Sequence, residues 1–476
     1  MAMGRRRTER QEPLFITADT LPKSAGHPFY KALNRLLAEA NFDRWIEDRC
    51  LPYYDNEQPR GQRSIPPGVY FRMLLVGYFE GIDAQRGIAW RCADSLSLRS
   101  FLGLALDEHS PDHSTLSLTR RRLPPEVFDE VFQFVLTIAA DKKLLSGRTV
   151  GVDSTTLEAN AAMKSIIRRD TGEDWKAYVT RLMREEDAIT EEEEPSDEEV
   201  RRFDKRRKNK KVSNEEWVSP ADPEARITRM KDGTTHLAYK AEHVVDLDSE
   251  LIVAAEIRTA TEGDAQTLAE SVIRAQEHLW AIESPARTDT QTEDTSSKEK
   301  KDTSIEEVVA DKGYHSADAL ELCQYLGLRT YIPEPKRRSD WDWSERSTDQ
   351  ERAVLNNRRR IKRSKGRRLQ RLRSERVERS FAHVCESGGM RRTWLRGLAE
   401  VTKRYRIAAA AHNLGRLLWK LLGVGKPRGL QGLRGLFVAF GALMPLLLGL
   451  PNRSLLLSRR SFRPAHHSVS IPTLAG

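Results

Sequence analysis

Cysteine is scarce in this chain: four in 476 residues, at Cys50, Cys92, Cys323 and Cys385, with no Cys-x-x-Cys pair. That spacing offers neither a zinc knuckle nor a disulfide framework, and it fits a reducing cytoplasm. Long apolar runs are lacking as well. The run Gly435 to Leu450 has 16 residues, with Pro445 and three glycines inside it, short of the roughly 20 that cross a bilayer. A buried or subunit-contact helix is expected there, and no membrane association. No apolar core follows Arg5, Arg6 and Arg7, so no secretory signal is expected and the cytoplasm is the expected location. Charge of neither sign dominates: 79 Lys and Arg against 70 Asp and Glu give a net charge of +9, which matters through its placement. An apolar fraction of 39% suffices for a large core, and the length predicts two or three folded units.

The pattern from His27 to Leu145 is helical. Phe29, Leu33, Leu36 and Leu37, then Val69 to Phe79, then Val127, Val131 and Val135 recur three and four apart, which predicts an all-helical N-terminal domain over residues 1–145. Inside it, Ser110-Pro-Asp-His-Ser predicts a helix start, and the run closes on Arg120, Arg121 and Arg122, either a phosphate contact or a solvated turn. After Gly147 strands take over: Thr149 to Asp153, His236 to Val245 and Leu251 to Ile257, then a helix near Asp264 to Trp280 and a strand from Glu307 to Asp311. A helix near Ala317, a short strand at Arg329 to Ile332 and a final helical region from about Arg367 follow. This order predicts an α/β unit over residues 146–422, with inserts at about 159–235 and 335–366 and an apolar, basic tail over 423–476. The first insert sets ten acidic residues between Glu185 and Glu199 beside the basic run Arg201 to Lys211, a solvated element or a DNA-contacting arm. The polar stretch Pro285 to Ser304 reads as a loop.

Cleaving a phosphodiester requires an attack on an anionic centre and a leaving oxygen that gains charge. Two divalent ions about 4 Å apart meet both demands, and they need hard carboxylate oxygens. Asp153 and Asp311 each close an apolar strand in an order suited to one sheet, with Asp153 on the face opposite Val150 and Val152. A third carboxylate from a neighbouring helix completes such a site. At 100° per residue, Glu378 flanks the apolar stripe of Val377, Phe381 and Val384, while Glu375 and Glu386 project away. Glu378 is therefore the preferred ligand, with the other two glutamates as alternatives.

Four segments carry a resemblance: Gly151-Val-Asp-Ser-Thr-Thr-Leu-Glu-Ala-Asn160, Thr235-His-Leu-Ala-Tyr-Lys-Ala-Glu-His243, Ala310-Asp-Lys-Gly-Tyr-His315 and Arg376-Val-Glu-Arg-Ser-Phe-Ala-His383. From His27 to about Leu422 the chain resembles the insertion-sequence transposases of the aspartate-aspartate-glutamate class. The resemblance implies an RNase H-like core, a mixed β-sheet flanked by helices, and it maps the catalytic and metal-binding carboxylates onto Asp153, Asp311 and Glu378. It also implies cleavage at the ends of a mobile element and transfer of the freed 3′ hydroxyl to target DNA. Two magnesium ions are the expected cofactor, with manganese as a substitute. Relatives carry a tyrosine, an arginine and a lysine along the glutamate's stripe, where this chain has Arg371, Ser374 and Cys385.

Between Arg358 and Arg373, ten of 16 residues are Lys or Arg, a segment suited to salt-dependent phosphate contacts that choose no sequence. Arg120, Arg121, Lys312, Arg371, Arg373, Arg379, Arg391 and Arg392 are the candidate DNA-binding side chains. The partner is double-stranded DNA, both element ends and target, and pairing two ends calls for a homodimer. Two other readings use the same residues: a nuclease that hydrolyses DNA without joining it, and an inactive DNA-binding derivative.

Overall fold

The computed structural model describes residues 26–54, 64–105, 107–208, 212–230, 233–283, 304–336, 343–344 and 346–427. The apolar run at 435–450, the N-terminal arginines and nearly all of the polar stretch at 285–304 lie outside them.

The N-terminal helices are α1 (Pro28–Glu39), α2 (Phe42–Cys50), α3 (Pro67–Glu80), α4 (Gln85–Ala93), α5 (Leu96–Leu102), α6 (His113–Arg122) and α7 (Pro125–Asp141). Their apolar positions face one another as the periodicity predicts, with Phe29, Leu33 and Leu37 of α1 and Phe128, Phe132 and Leu136 of α7 withdrawn from solvent. One cation is buried among them: Arg72 meets Asp43 at 2.7 Å and Asn34 at 2.8 Å, so its charge is paired. The α6 start is set by Asp112, inside the predicted segment Ser110 to Ser114, whose side chain accepts from the Thr115 amide at 2.9 Å.

Beyond them the chain builds β1 (Thr149–Glu158), β2 (Ile167–Arg168), α8 (Trp175–Glu185), α9 (Asp197–Arg206), β3 (Trp217–Val218), β4 (Arg226–Arg229), β5 (Thr235–Asp246), β6 (Ile252–Thr259) and α10 (Asp264–Glu283). Then come β7 (Glu307–Val309), α11 (Ala317–Tyr325), β8 (Arg329–Tyr331), α12 (Thr348–Lys362), α13 (Ser364–Phe381) and α14 (Leu398–Leu422). The main sheet runs β4-β5-β1-β7-β8, with β6 also paired to β5. The β4, β5 and β6 pairings are antiparallel, as is β5 with β1, while β1, β7 and β8 are mutually parallel. The fold is thus mixed α/β with a helical N-terminal region.

Helices close both sides of this sheet by the same device. Asn413 of α14 accepts from the Ile252 amide at 2.9 Å and donates to its carbonyl at 2.8 Å. Asn357 of α12 does the same at Ile332, at 3.0 and 2.7 Å. Each amide side chain satisfies a buried backbone pair that no further strand covers.

The structure departs from the sequence reading in four places. Strand β1 continues through Glu158, so Asp153 is central rather than terminal. Strand β4, inside the expected first insert, joins the main sheet. Helix α12 fills most of the expected second insert. The N-terminal helices share one continuous apolar core with the sheet, because α14 packs on α7, α3 and β6 together. Small side chains at Ala408, Ala409, Ala410 and Ala411 allow that close approach.

Candidate active site

Helix α13 can lie on β1 because Gly151 has no side chain. A Cβ there would stand 2.8 Å from Val377 Cγ2 and 3.1 Å from Arg373 Cγ. Side chains alternate along a strand, so Asp153 shares the face of Gly151 and looks toward α13. The parallel register pairs Gly151 with Val309, and two further steps set Asp311, just past β7, level with Asp153 on the same face. The two sequence-predicted aspartates therefore belong to adjacent strands, Asp153 midway along β1 and Asp311 two residues past the end of β7.

Asp153 accepts from the Ser154 amide through Oδ1 at 2.8 Å and from Arg373 Nη1 through Oδ2 at 2.8 Å. Asp311 caps a short turn, accepting from the Gly313 amide at 2.8 Å. Glu378, on the exposed side of α13, accepts from Ser374 Oγ at 2.9 Å. The alternatives to Glu378 are held elsewhere: Glu375 pairs with Arg379 and Glu386 with Arg391. Among the described residues, no three His, Cys, Asp or Glu side chains converge closely enough to share a metal ion.

A further carboxylate that the sequence reading missed lies beside the Asp311 loop, on the α10 face of the sheet. Asp264, the first residue of α10, accepts from Ser154 Oγ at 2.8 Å and pairs with Lys240 at 2.7 Å. A Cβ on Gly313 would meet Asp264 Oδ2 at 2.9 Å and Asp311 Oδ1 at 3.1 Å, so the two carboxylates flank that glycine. The only sequence signal for it was Gly-Asp at a helix start, which commonly means a turn.

The motif Thr235 to His243 supplies the supports. Lys240 and Glu242 face α10. Buried Glu242 accepts from Tyr314 at 2.6 Å, Ser271 at 2.5 Å and Thr267 at 3.1 Å, pinning the loop that follows Asp311. Burial, then Glu242, Asp264 and Asp153, raises the Tyr314 hydroxyl well above its ordinary range, so it stays a donor. On the other face, His243 lies opposite Asp153 in register. It bonds Ser380 of α13 and Tyr405 of α14, both at 2.8 Å, and stacks on Phe381 at 4.0 Å. Burial pushes its pKa down to about 3, so the ring is neutral and serves as a two-sided clamp.

The candidate DNA contacts divide. Arg371, Lys312 and Arg121 are exposed. Arg120 does not reach outward: its guanidinium pairs with Glu400 of α14 at 2.6 Å. Arg373 is buried against Asp153. Arg379 is shared by Glu250 and Glu375, Arg391 is taken by Glu386 and Thr155, and Arg392 lies 3.6 Å from Glu158 and over the Trp394 ring. Local basic density identified these side chains; it could not show that acids from distant strands would claim them.

Residues 19–122 match a family model described as Transposase domain (DUF772), and residues 338–418 match one described as Transposase DDE domain. Neither a curated protein nor a solved structure matches the chain. The first match covers α1 to α6, and the second covers α12, α13 and most of α14, including Glu378. One transposase domain model thus matches before the sheet and a DDE transposase domain model after it, and the two matches support an insertion-sequence DDE transposase.

Proposed function

We propose that the chain cuts the ends of a mobile element and joins the freed 3′ hydroxyl to target DNA, on an RNase H-like core. The observation that supports this is that Asp153 of β1 and Asp311, two residues past the parallel neighbour β7, belong to adjacent strands, with the helix that bears Glu378 packed on β1. An antiparallel β1-β5-β6 meander beside the parallel β7 and β8 is the strand order such a core requires.

By donor chemistry the set suits hard divalent cations, since Asp153, Asp311 and Glu378 are carboxylates, although no three acids among the described residues converge on one point and Arg373 occupies one oxygen of Asp153. Those three residues would hold the ions, magnesium by preference. Bound there, such ions lower the charge at the attacking and leaving oxygens. Arg373 holds the Asp153 carboxylate toward α13, and Ser374 orients Glu378. Arg367, Arg371, Ser374 and Glu378 recur every three or four residues along one face of α13. Exposed arginines thus lead a phosphate backbone toward the glutamate. Two such catalytic centres, one per copy, would serve the paired ends of an element.

Cleavage and joining of a labelled element-end duplex with magnesium tests this reading. Joined product should fall at least about a hundredfold in Asp153→Asn, Asp311→Asn and Glu378→Gln, since each removes a charge stabilising the transition state. Nicking without joining would identify a nuclease. Absence of both in the wild type, on its own element's ends, would refute the catalytic reading.

A further inference from the structure

We infer that the hairpin of α8 and α9, inserted between β1 and β4, is a second duplex-binding surface that grips the DNA backbone through one face of α9. This rests on the reading of the chain as a DNA-processing enzyme and adds a DNA-binding region outside both matched domains.

The hairpin is a built element with its own small core. Val179 and Met183 of α8 pack on Val200 of α9, with Phe203, Ile189, Trp175 and Tyr178 around them. Its base is fixed by the Tyr178 ring, which has the guanidinium groups of Arg168, Arg181 and Arg207 at 4.8, 5.4 and 5.5 Å from its centroid. Ser196 and Glu199 form a reciprocal cap that starts α9.

Around the α9 axis, Val200, Phe203, Asp204 and Arg207 fall on the side that meets α8. Arg201 and Lys205 fall on the opposite side, with Arg202 and Arg206 beside them, at 100° per residue, and Lys208 follows just past the helix end. All five are exposed. Beyond Glu199 that arc contains no acid.

The hairpin's other cations are consumed internally. Lys176 pairs with Asp197, Arg181 with Glu173 and Glu185, and Arg207 with Asp204. Among the described residues none of the five side chains on the arc forms a hydrogen bond or ion pair, although ten acids lie between Glu185 and Glu199. Basic residues in a last helical turn complement the helix dipole, but that accounts for the last turn and not for an arc from Arg201 to Lys208.

Arg201 and Arg202 interact electrostatically with Asp197 and Glu199 at the helix start, but a cationic arc that no hydrogen bond or ion pair occupies still fits a polyanion of regular spacing. The helical part of the arc, Arg201 to Arg206, extends about 7.5 Å at the helical rise, alongside about four duplex phosphate charges at one per roughly 1.7 Å. The acidic turn at 185–194 gives the arm an orientation, since like charge keeps that end away from the DNA.

The test measures binding of the full chain to a labelled duplex of arbitrary sequence across a salt series, with sedimentation and a melting curve for each variant. One variant carries Arg201→Gln, Arg202→Gln, Lys205→Gln and Arg206→Gln. A second keeps charge, with Arg201→Lys, Arg202→Lys and Arg206→Lys. A third carries Arg367→Gln and Arg371→Gln on α13. We expect the first to lower the slope of log K against log salt by about 3 to 4, at about 0.9 for each phosphate no longer neutralised, with an unchanged melting point. The charge-keeping variant should bind as the wild type does. An unchanged slope in the first variant, with a reduced slope in the third, overturns the inference and leaves the transposase reading standing. If the first variant instead loses self-association while its slope holds, the arc pairs with the acidic turn of a second copy, and the DNA assignment is wrong. A wild type that binds no duplex removes both.

Discussion

At the scale of the residue, two buried histidines give the protein an acid-labile interior. His243 is held near pKa 3 by burial, and His412, fully enclosed, lies well below its ordinary value near 6.5 for the same reason. The unfolded chain takes up a proton at each of these as pH falls through about 6.5, while the folded chain does not. Stability is therefore full above that pH and declines below it, by about 1.4 kcal/mol per pH unit for each group. Urea midpoints measured from pH 7 down to pH 4 should fall steadily. His412→Leu should remove roughly half of the decline due to the pair; an unaltered pH profile in that variant would show that His412 is not held neutral.

At the scale of the element, the approach of α13 to β1 sets the geometry of the proposed site. Gly151 allows it, and His243 with Ser380 and Phe381 fastens it. Gly151→Ala would drive a methyl group to within 2.8 Å of Val377 and Leu247. A cost of about 1–3 kcal/mol is expected from overpacking, with α13 lifted and Glu378 displaced. Joining activity should therefore fall further than the melting point alone explains. Activity unchanged at a temperature where the variant is fully folded would show that the seating of α13 does not position Glu378. The sequence reading named Gly151 within a motif but could not assign it this contact, because its partner lies more than two hundred positions away.

At the scale of the whole molecule, the N-terminal helices and the sheet are one body. The α14 helix carries Leu414, Leu417 and Leu418 into the same core that holds α7 and β6. Its Arg406 bridges Asp129 of α7 at 3.0 Å and Glu256 of β6 at 2.8 Å. Amides of α7 and β6 should lose hydrogen-exchange protection together as denaturant rises. Separate transitions would show that residues 1–145 fold as an independent domain, as their composition alone suggests. Among the described residues no helix is long and apolar enough to cross a membrane.

The sequence by itself determined the α/β order and the helical N-terminal region, and it nominated Asp153, Asp311 and Glu378 for the proposed site. Each of these depends on local periodicity or on residue type at a strand or helix position, and such signals survive in one dimension. Tertiary structure decided what depends on pairing between distant residues. Arg120, Arg373, Arg379 and Arg391 look alike in a basic sequence, yet Glu400, Asp153, Glu250 and Glu386 claim them. Asp264 comes beside the Asp311 loop only because α10 begins next to β1 and that loop. A charge is free or spent according to what the fold brings within about 4 Å of it, and that distance is set by the whole chain.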